Sequence, residues 1–163
     1  MTIRKATQND LTDIVAIYNE TIPGRMVTAD TEEVSVADKQ AWFDSHTEKR
    51  PIFVFEQQGK VLAWLSYKSF YGRPAYDGTV EISIYITQQA QGKGLGKQLL
   101  TFSEQHAKTL DIKVLLAFIF SHNLPSIKLF NRFDYKVWGE LAEIAIMDDK
   151  AYSLTILGKR LDS

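Results

Sequence analysis

The chain has no cysteine in its 163 residues. That excludes disulfides, a thiolate metal site and a cysteine nucleophile, and it is compatible with a reducing compartment. Charge of one sign is scarce as well: 19 Lys and Arg against 20 Asp and Glu leave a formal net charge of -1. A nucleic-acid partner held by bulk electrostatics is therefore not expected. No apolar run is long enough to cross a bilayer, and the opening MTIRKATQND lacks the apolar core of a signal peptide. The expectation is a cytoplasmic protein without a membrane partner. The only histidines are His46, His106 and His122, and none has an evident metal or catalytic partner, so no metal is expected. What is present in quantity, 45% hydrophobic and 24% charged residues, suits one globular domain over residues 1–163 with a substantial core.

The stretch that organises the rest runs from Val80 to Lys97. Val80, Ile82, Ile84 and Ile86 alternate with Glu81, Ser83, Tyr85 and Thr87, the period of a strand. A polar bend leads into Gln91-Gly92-Lys93-Gly94-Leu95-Gly96-Lys97, and an amphipathic helix follows. A strand, a glycine-rich loop and a helix N-terminus together suit phosphate, because glycines admit close backbone approach and unpaired N–H groups meet the anion. A P-loop requires Gly where Gln91 stands and Ser or Thr where Gln98 stands, and the count fails at both ends. A dinucleotide fingerprint requires its third Gly at Lys97 or Leu99, and also fails.

Elsewhere the punctuation is regular. Thr2 to Ala6 reads as a strand, and Asn9 or Asp10 as the cap of a helix bearing Leu11, Ile14, Val15, Ile17 and Tyr18. Pro23-Gly24 ends that helix, Arg25 to Val34 is irregular, and Ser35 caps a second helix whose Trp42 and Phe43 read as core. Ile52 to Glu56 and Val61 to Phe70 read as a hairpin around Gln57-Gln58-Gly59-Lys60, with a loop from Tyr71 to Gly78. Leu95, Leu99, Phe102, His106 and Leu110 form one helical stripe, which makes His106 a packed residue rather than a ligand. Val114 to Phe120 is apolar throughout, as in a strand buried on both faces. Asn123 can cap a helix from Pro125 to Phe133, and Tyr135 to Leu141 and Ala151 to Leu157 close the chain as strands. The fold class is α/β (α+β): one mixed sheet, mostly antiparallel, flanked by helices.

Gln91, Gly94 and Gly96 fill a Gln-x-x-Gly-x-Gly pattern that resembles the acetyl-CoA pyrophosphate loop of the GNAT superfamily of N-acetyltransferases. The element order resembles that fold over nearly the whole chain. Within the superfamily the middle of the chain is similar to the phosphinothricin N-acetyltransferase group, through Arg73-Pro74-Ala75-Tyr76, Thr79-Val80-Glu81, Ile84-Tyr85-Ile86, the segment Asn123 to Leu129, and Tyr18-Asn19. The resemblance implies a fourth and fifth strand splayed apart around acetyl-CoA as co-substrate. It further implies that Ile84, Tyr85 and Ile86 pair their backbone with pantetheine amides and that Gly92, Lys93, Gly94, Leu95, Gly96 and Lys97 cradle the pyrophosphate. Asn123 would hydrogen-bond the cofactor, with Ser126 and Lys128 close by. Homodimers are frequent in the family, although no interface is legible here.

Acetyl transfer to an amine needs a base for the arriving ammonium, and Glu81, polar within the central strand, is the candidate. A backbone N–H beside Tyr85 or Ile86 could hold the developing oxyanion. Where many superfamily members place Tyr to protonate the leaving thiolate, and the phosphinothricin group tends to have His, this chain has Phe130; Tyr85, Tyr135 or water are the substitutes. An acceptor of the phosphinothricin or methionine sulfoximine type, an amino acid with a second polar head, points to Arg73, Tyr76 and Arg25 as substrate-binding residues. Acetylation of polyamines or protein N-termini, and an acyl-CoA-binding module without turnover, stay open beside it.

Overall fold

The computed structural model describes residues 1–161. Among the described residues the elements are β1 (Thr2–Lys5), α1 (Leu11–Glu20), α2 (Val36–Asp44), β2 (Ile52–Gln57), β3 (Lys60–Ser69) and β4 (Thr79–Ile86), followed by α3 (Leu95–Thr109), β5 (Val114–Phe120), α4 (Leu124–Arg132), β6 (Lys136–Met147) and β7 (Lys150–Arg160). The strands form one sheet in the order β1-β2-β3-β4-β5-β7-β6. Every neighbouring pair is antiparallel except β4 with β5, so the sheet is mixed and mostly antiparallel.

The alternation in β4 becomes a division of labour between the sheet's two faces. Val80 and Ile82 are buried with Leu95, Leu99, Leu100 and Ala107 of α3, in a core that also takes Phe53, Leu65, Tyr67, Leu115 and Leu157. The opposite face is covered by α1, whose Ile14, Ile17 and Tyr18 pack with Val54 and Trp64. The α1 stripe forms because its apolar residues recur three and four apart. Asp10 does not cap that helix with its side chain. Its carboxylate instead accepts from the Thr7 N–H at 2.7 Å and from both terminal nitrogens of Arg4 at 2.8 and 3.0 Å. Ser35 caps α2 as expected, accepting from the Asp38 N–H at 3.0 Å.

The final hairpin is longer than its sequence suggests. Met147 pairs with Lys150, so Asp148 and Asp149 form a two-residue turn with φ of 51° and 65°. Left-handed backbone at both central positions is what such a turn requires, and Asp tolerates it. Register shifts between Leu141 and Ala145 break the alternation of β6, which is why Ala142 to Met147 does not read as strand.

Close packing in this hairpin is testable at Gly158, where an added Cβ would fall 2.2 Å from Trp138 Cε3. Gly158→Ala is expected to destabilise the protein by about 1–3 kcal/mol, the usual cost of overpacking. In a Trp138→Ala background the same substitution should cost little, and thermal unfolding of the two pairs checks this.

Candidate active site

β4 and β5 pair only through Thr79↔Val114, Val80↔Leu115 and Glu81↔Leu116. Beyond these three pairs the strands diverge, while β3 continues to accompany β4 as far as Ile86 and β7 accompanies β5 as far as Phe120. The divergence opens a cleft of about 460 Å³. Ile84, Tyr85 and Ile86 form one wall, Asn123, Ser126 and Phe130 the other, and Gln91, Gly92, Gly94, Leu95 and Gly96 close one end. The expected strand, loop and α4 residues are thus brought together. Lys93, Lys97 and Lys128 are exposed and are not part of the cleft wall.

The loop has the construction its glycines suggest. Gly92 and Gly94 hold φ of 76° and 81°, a region where a side chain is strained. Gly94 is the N-cap of α3, and no side chain caps that helix. The first-turn N–H groups are therefore available to an anion beside the cleft. Gln91 turns back onto β4, donating to the Ile86 carbonyl at 3.4 Å. Glu20, at the end of α1, anchors the start of the bend, accepting from Thr87 Oγ1 at 2.9 Å and from the Gln88 N–H at 3.1 Å. Uncapped helix amides, left-handed glycines and two bare strand edges fit a long ligand with a diphosphate and peptide-like amides.

Asn123 is already engaged. It is buried, its Oδ1 accepts from the Ser126 N–H at 3.4 Å to cap α4, and its Nδ2 donates to the Met26 carbonyl at 3.2 Å. Met26 and Val27 line the cleft, so Asn123 ties the irregular segment after α1 to the site. The same segment is held by His122, which meets the Arg25 carbonyl at 2.8 Å, and by the Arg25–Asp148 ion pair at 2.8 Å. Arg25 is thereby committed to the hairpin turn, and Asp148 raises its pKa further above the ordinary guanidinium value.

On the other face of β4 lies a second cavity, about 250 Å³, that contains Glu81. Its floor is Ser66 and Lys68 of β3 with Glu81, Ser83 and Tyr85 of β4, and Tyr18, Lys39, Trp42 and Trp64 complete its walls. Glu81 is half-buried, and desolvation pushes its carboxyl above the usual range, with Lys68 pulling weakly the other way. Tyr85 stacks on Trp64 with ring centroids 4.5 Å apart and 13° between planes. It lines both the Glu81 cavity and the cleft, and burial raises its hydroxyl pKa. Tyr18 hydrogen-bonds Thr28 Oγ1 at 2.6 Å and the Asp30 carboxylate, and burial pushes it up to about 12.

Phe130 is buried and borders the cleft, with its ring edge-on to Tyr135 at 4.9 Å. Tyr135 is fully buried behind it, its hydroxyl without a hydrogen-bond partner among the described residues, and it lines neither cavity. Arg73 and Tyr76 sit in the exposed loop after β3, where Tyr76 packs on Phe70 and Tyr71; neither lines the Glu81 cavity. Lys39, Lys68, Ser66 and Ser83 escaped the reading of the sequence. For Ser66, Lys68 and Ser83 the signal is polar residues at alternate positions of two otherwise apolar strands, which mark one face of each, whereas Lys39 comes from α2 and carries no such signal.

Residues 3–153 match the family model of the acetyltransferase (GNAT) domain. This chain belongs to the GNAT acetyltransferases. It is 52% identical over 162 residues, 99% of each chain, to YwnH of Bacillus subtilis (strain 168), a protein provisionally named a phosphinothricin acetyltransferase. It is 33% identical to the L-methionine sulfoximine/L-methionine sulfone acetyltransferase of Pseudomonas paraeruginosa, over 98% of this chain and 94% of that one. Among solved structures it superimposes with a TM-score of 0.90 and 28% identity on yncA of Salmonella typhimurium, provisionally named an acetyltransferase and determined with its cofactor acetyl-CoA, covering 99% of this chain and 94% of that one. The family match spans β4, β5 and the glycine loop between them.

In this GNAT chain Asn123 carries structural weight without any ligand. Asn123→Ala removes a helix cap and a tether to Met26, and should cost about 1–3 kcal/mol. Chemical denaturation of the ligand-free protein checks the loss, which a purely ligand-contacting residue would not show.

Proposed function

We propose that this enzyme transfers the acetyl group of acetyl-CoA to the primary amine of a small amino-acid-like acceptor of the phosphinothricin or methionine sulfoximine type, by direct attack on the thioester. The observation that carries the reading is the position of Tyr85 in the wall of both cavities. One side of β4 offers a cleft for a long cofactor, and the other a small polar cavity with a carboxylate. The similarity to acetyltransferases named for such acceptors supports the substrate class.

In this mechanism the backbone of Ile84 to Ile86 pairs with the pantetheine amides, and the amides from Gly92 to Lys97 hold the diphosphate, with Lys93 and Lys97 supplying charge from the rim. Ser126 and Lys128 border the cofactor from α4. Glu81, directly or through water, accepts the proton of the acceptor's ammonium, and burial makes it a stronger base than an exposed carboxylate. The amine nitrogen then forms the new C–N bond at the thioester carbonyl, and a strand N–H beside Tyr85 or Ile86 receives the oxyanion. As the tetrahedral adduct collapses, the C–S bond breaks, the nitrogen gives up its second proton and the thiolate receives one. Tyr85, in the wall of both cavities, relays this proton, taking one from the nitrogen as it gives one to the sulfur, so that no buried tyrosinate is left. A thiol reference pKa near about 8.5 keeps this last step undemanding.

Free-thiol release from acetyl-CoA, measured against an amine panel, tests the reading. Glu81→Gln is expected to lower kcat by about 10²–10⁴ while leaving acetyl-CoA affinity unchanged. The pH profile has a defined sign. The base acts only when deprotonated, and burial moves its pKa above the ordinary 4.5. In the wild type kcat/KM, which reports the free enzyme, should therefore fall with decreasing pH already above that value, and Glu81→Gln should remove this limb.

A further inference from the structure

The Glu81 cavity is lined by three charged side chains, the half-buried Glu81 and Lys39 and the exposed Lys68, none of them in an ion pair among the described residues. Lys68 and Glu81 face each other directly across the antiparallel β3–β4 pair. Opposed residues of such a pair have Cβ atoms roughly 5 Å apart on one face, close enough for an ion pair. None forms: the described residues contain no ion pair of Lys39, Lys68 or Glu81. The next opposed pair on that face is Ser66 and Ser83, so the floor continues as hydroxyls instead of closing with apolar packing. From the helix side Lys39 leans over the cavity, its Nζ 4.7 Å from the Tyr18 ring centroid and 5.7 Å from that of Trp42. The aromatic rings hold the ammonium there without neutralising its charge.

We infer that Lys68, with Lys39 closing from α2, holds the α-carboxylate of the acceptor while Glu81 faces its ammonium, so that the site selects an α-amino acid over the same amine lacking its carboxylate. This rests on the function proposed above. An α-amino acid carries its two opposite charges on a single carbon, and the Lys68–Glu81 pair presents the complementary charges side by side. Binding would supply each side chain with the partner it lacks. The volume, about 250 Å³, lies below that of pockets for drug-sized ligands, in keeping with one amino acid rather than a peptide. Two ammonium groups in so small a space also repel the second cation of a polyamine. Lys39 and Lys68 are thus specificity-determining residues, and they lie on the cavity wall where Arg73 and Arg25 do not.

The test compares L-methionine sulfone with 3-(methylsulfonyl)propylamine, which differ only by the carboxylate, in the wild type, Lys68→Met, Lys39→Met and Lys68→Arg. The ratio of kcat/KM for amino acid over amine is the readout. It cancels effects common to both acceptors, including any change in Glu81 basicity when Lys68 is removed. The wild type should prefer the amino acid, and Lys68→Met should reduce the preference about 10- to 100-fold, the range for losing a hydrogen bond to a charged group. Lys39→Met should act in the same direction, and Lys68→Arg should retain most of the preference. A ratio unchanged in Lys68→Met, with thiol release still amine-dependent, overturns this inference alone. Thiol release with neither probe contradicts the proposed function, and the inference falls with it.

Discussion

A strand that loses its neighbour midway must find other partners for its backbone, and the site rests on that constraint. β4 is hydrogen-bonded to β3 along its length and β5 to β7 along its length, yet the two meet over only three residue pairs. From Ile82 and Ala117 onward each presents a bare edge to the gap. Phe130 of α4 borders the opening. An extended ligand with amide groups can complete such edges as a missing strand would.

The same strand serves two chemistries because its side chains alternate. Val80 and Ile82 bury themselves against α3 and hold β4 in the core, whereas Glu81, Ser83 and Tyr85 face the smaller cavity beneath α1 and α2. The smaller cavity is built on aromatic packing, with Tyr85 on Trp64 and Trp42 edge-on to Trp64 at 5.4 Å. The β4–β5 cleft is bounded partly by the irregular segment after α1, which is secured from a distance. Asn123, His122 and Asp148 each hold one group of that segment, so the long β6–β7 hairpin contributes to the site through its turn.

Much of this is legible in the sequence, for identifiable reasons. Period-two alternation marked β4, the glycines marked the loop, and Ser35 and Asn123 marked helix starts, because each is a local choice that the global fold respects. The hairpin extension was not legible, since Asp148-Asp149 is a weak turn signal and the register shifts in β6 erase its alternation. The Glu81 cavity was only half legible. Glu81 stood out within its own strand, but its opposition to Lys68 is a matter of register between strands, and Lys39 arrives from a helix some forty residues earlier. Arginine chemistry suggested Arg25 and Arg73, whereas the fold commits Arg25 to Asp148 and leaves Arg73 in an exposed loop.

The central claim is that the β4–β5 split and the uncapped start of α3 together receive acetyl-CoA. Amide hydrogen exchange with and without acetyl-CoA tests it residue by residue. The account predicts new protection at residues 84–86 and 92–97, with the paired strands β2 and β7 little changed. Protection confined to other regions, or binding that leaves both segments exchanging as before, would contradict it.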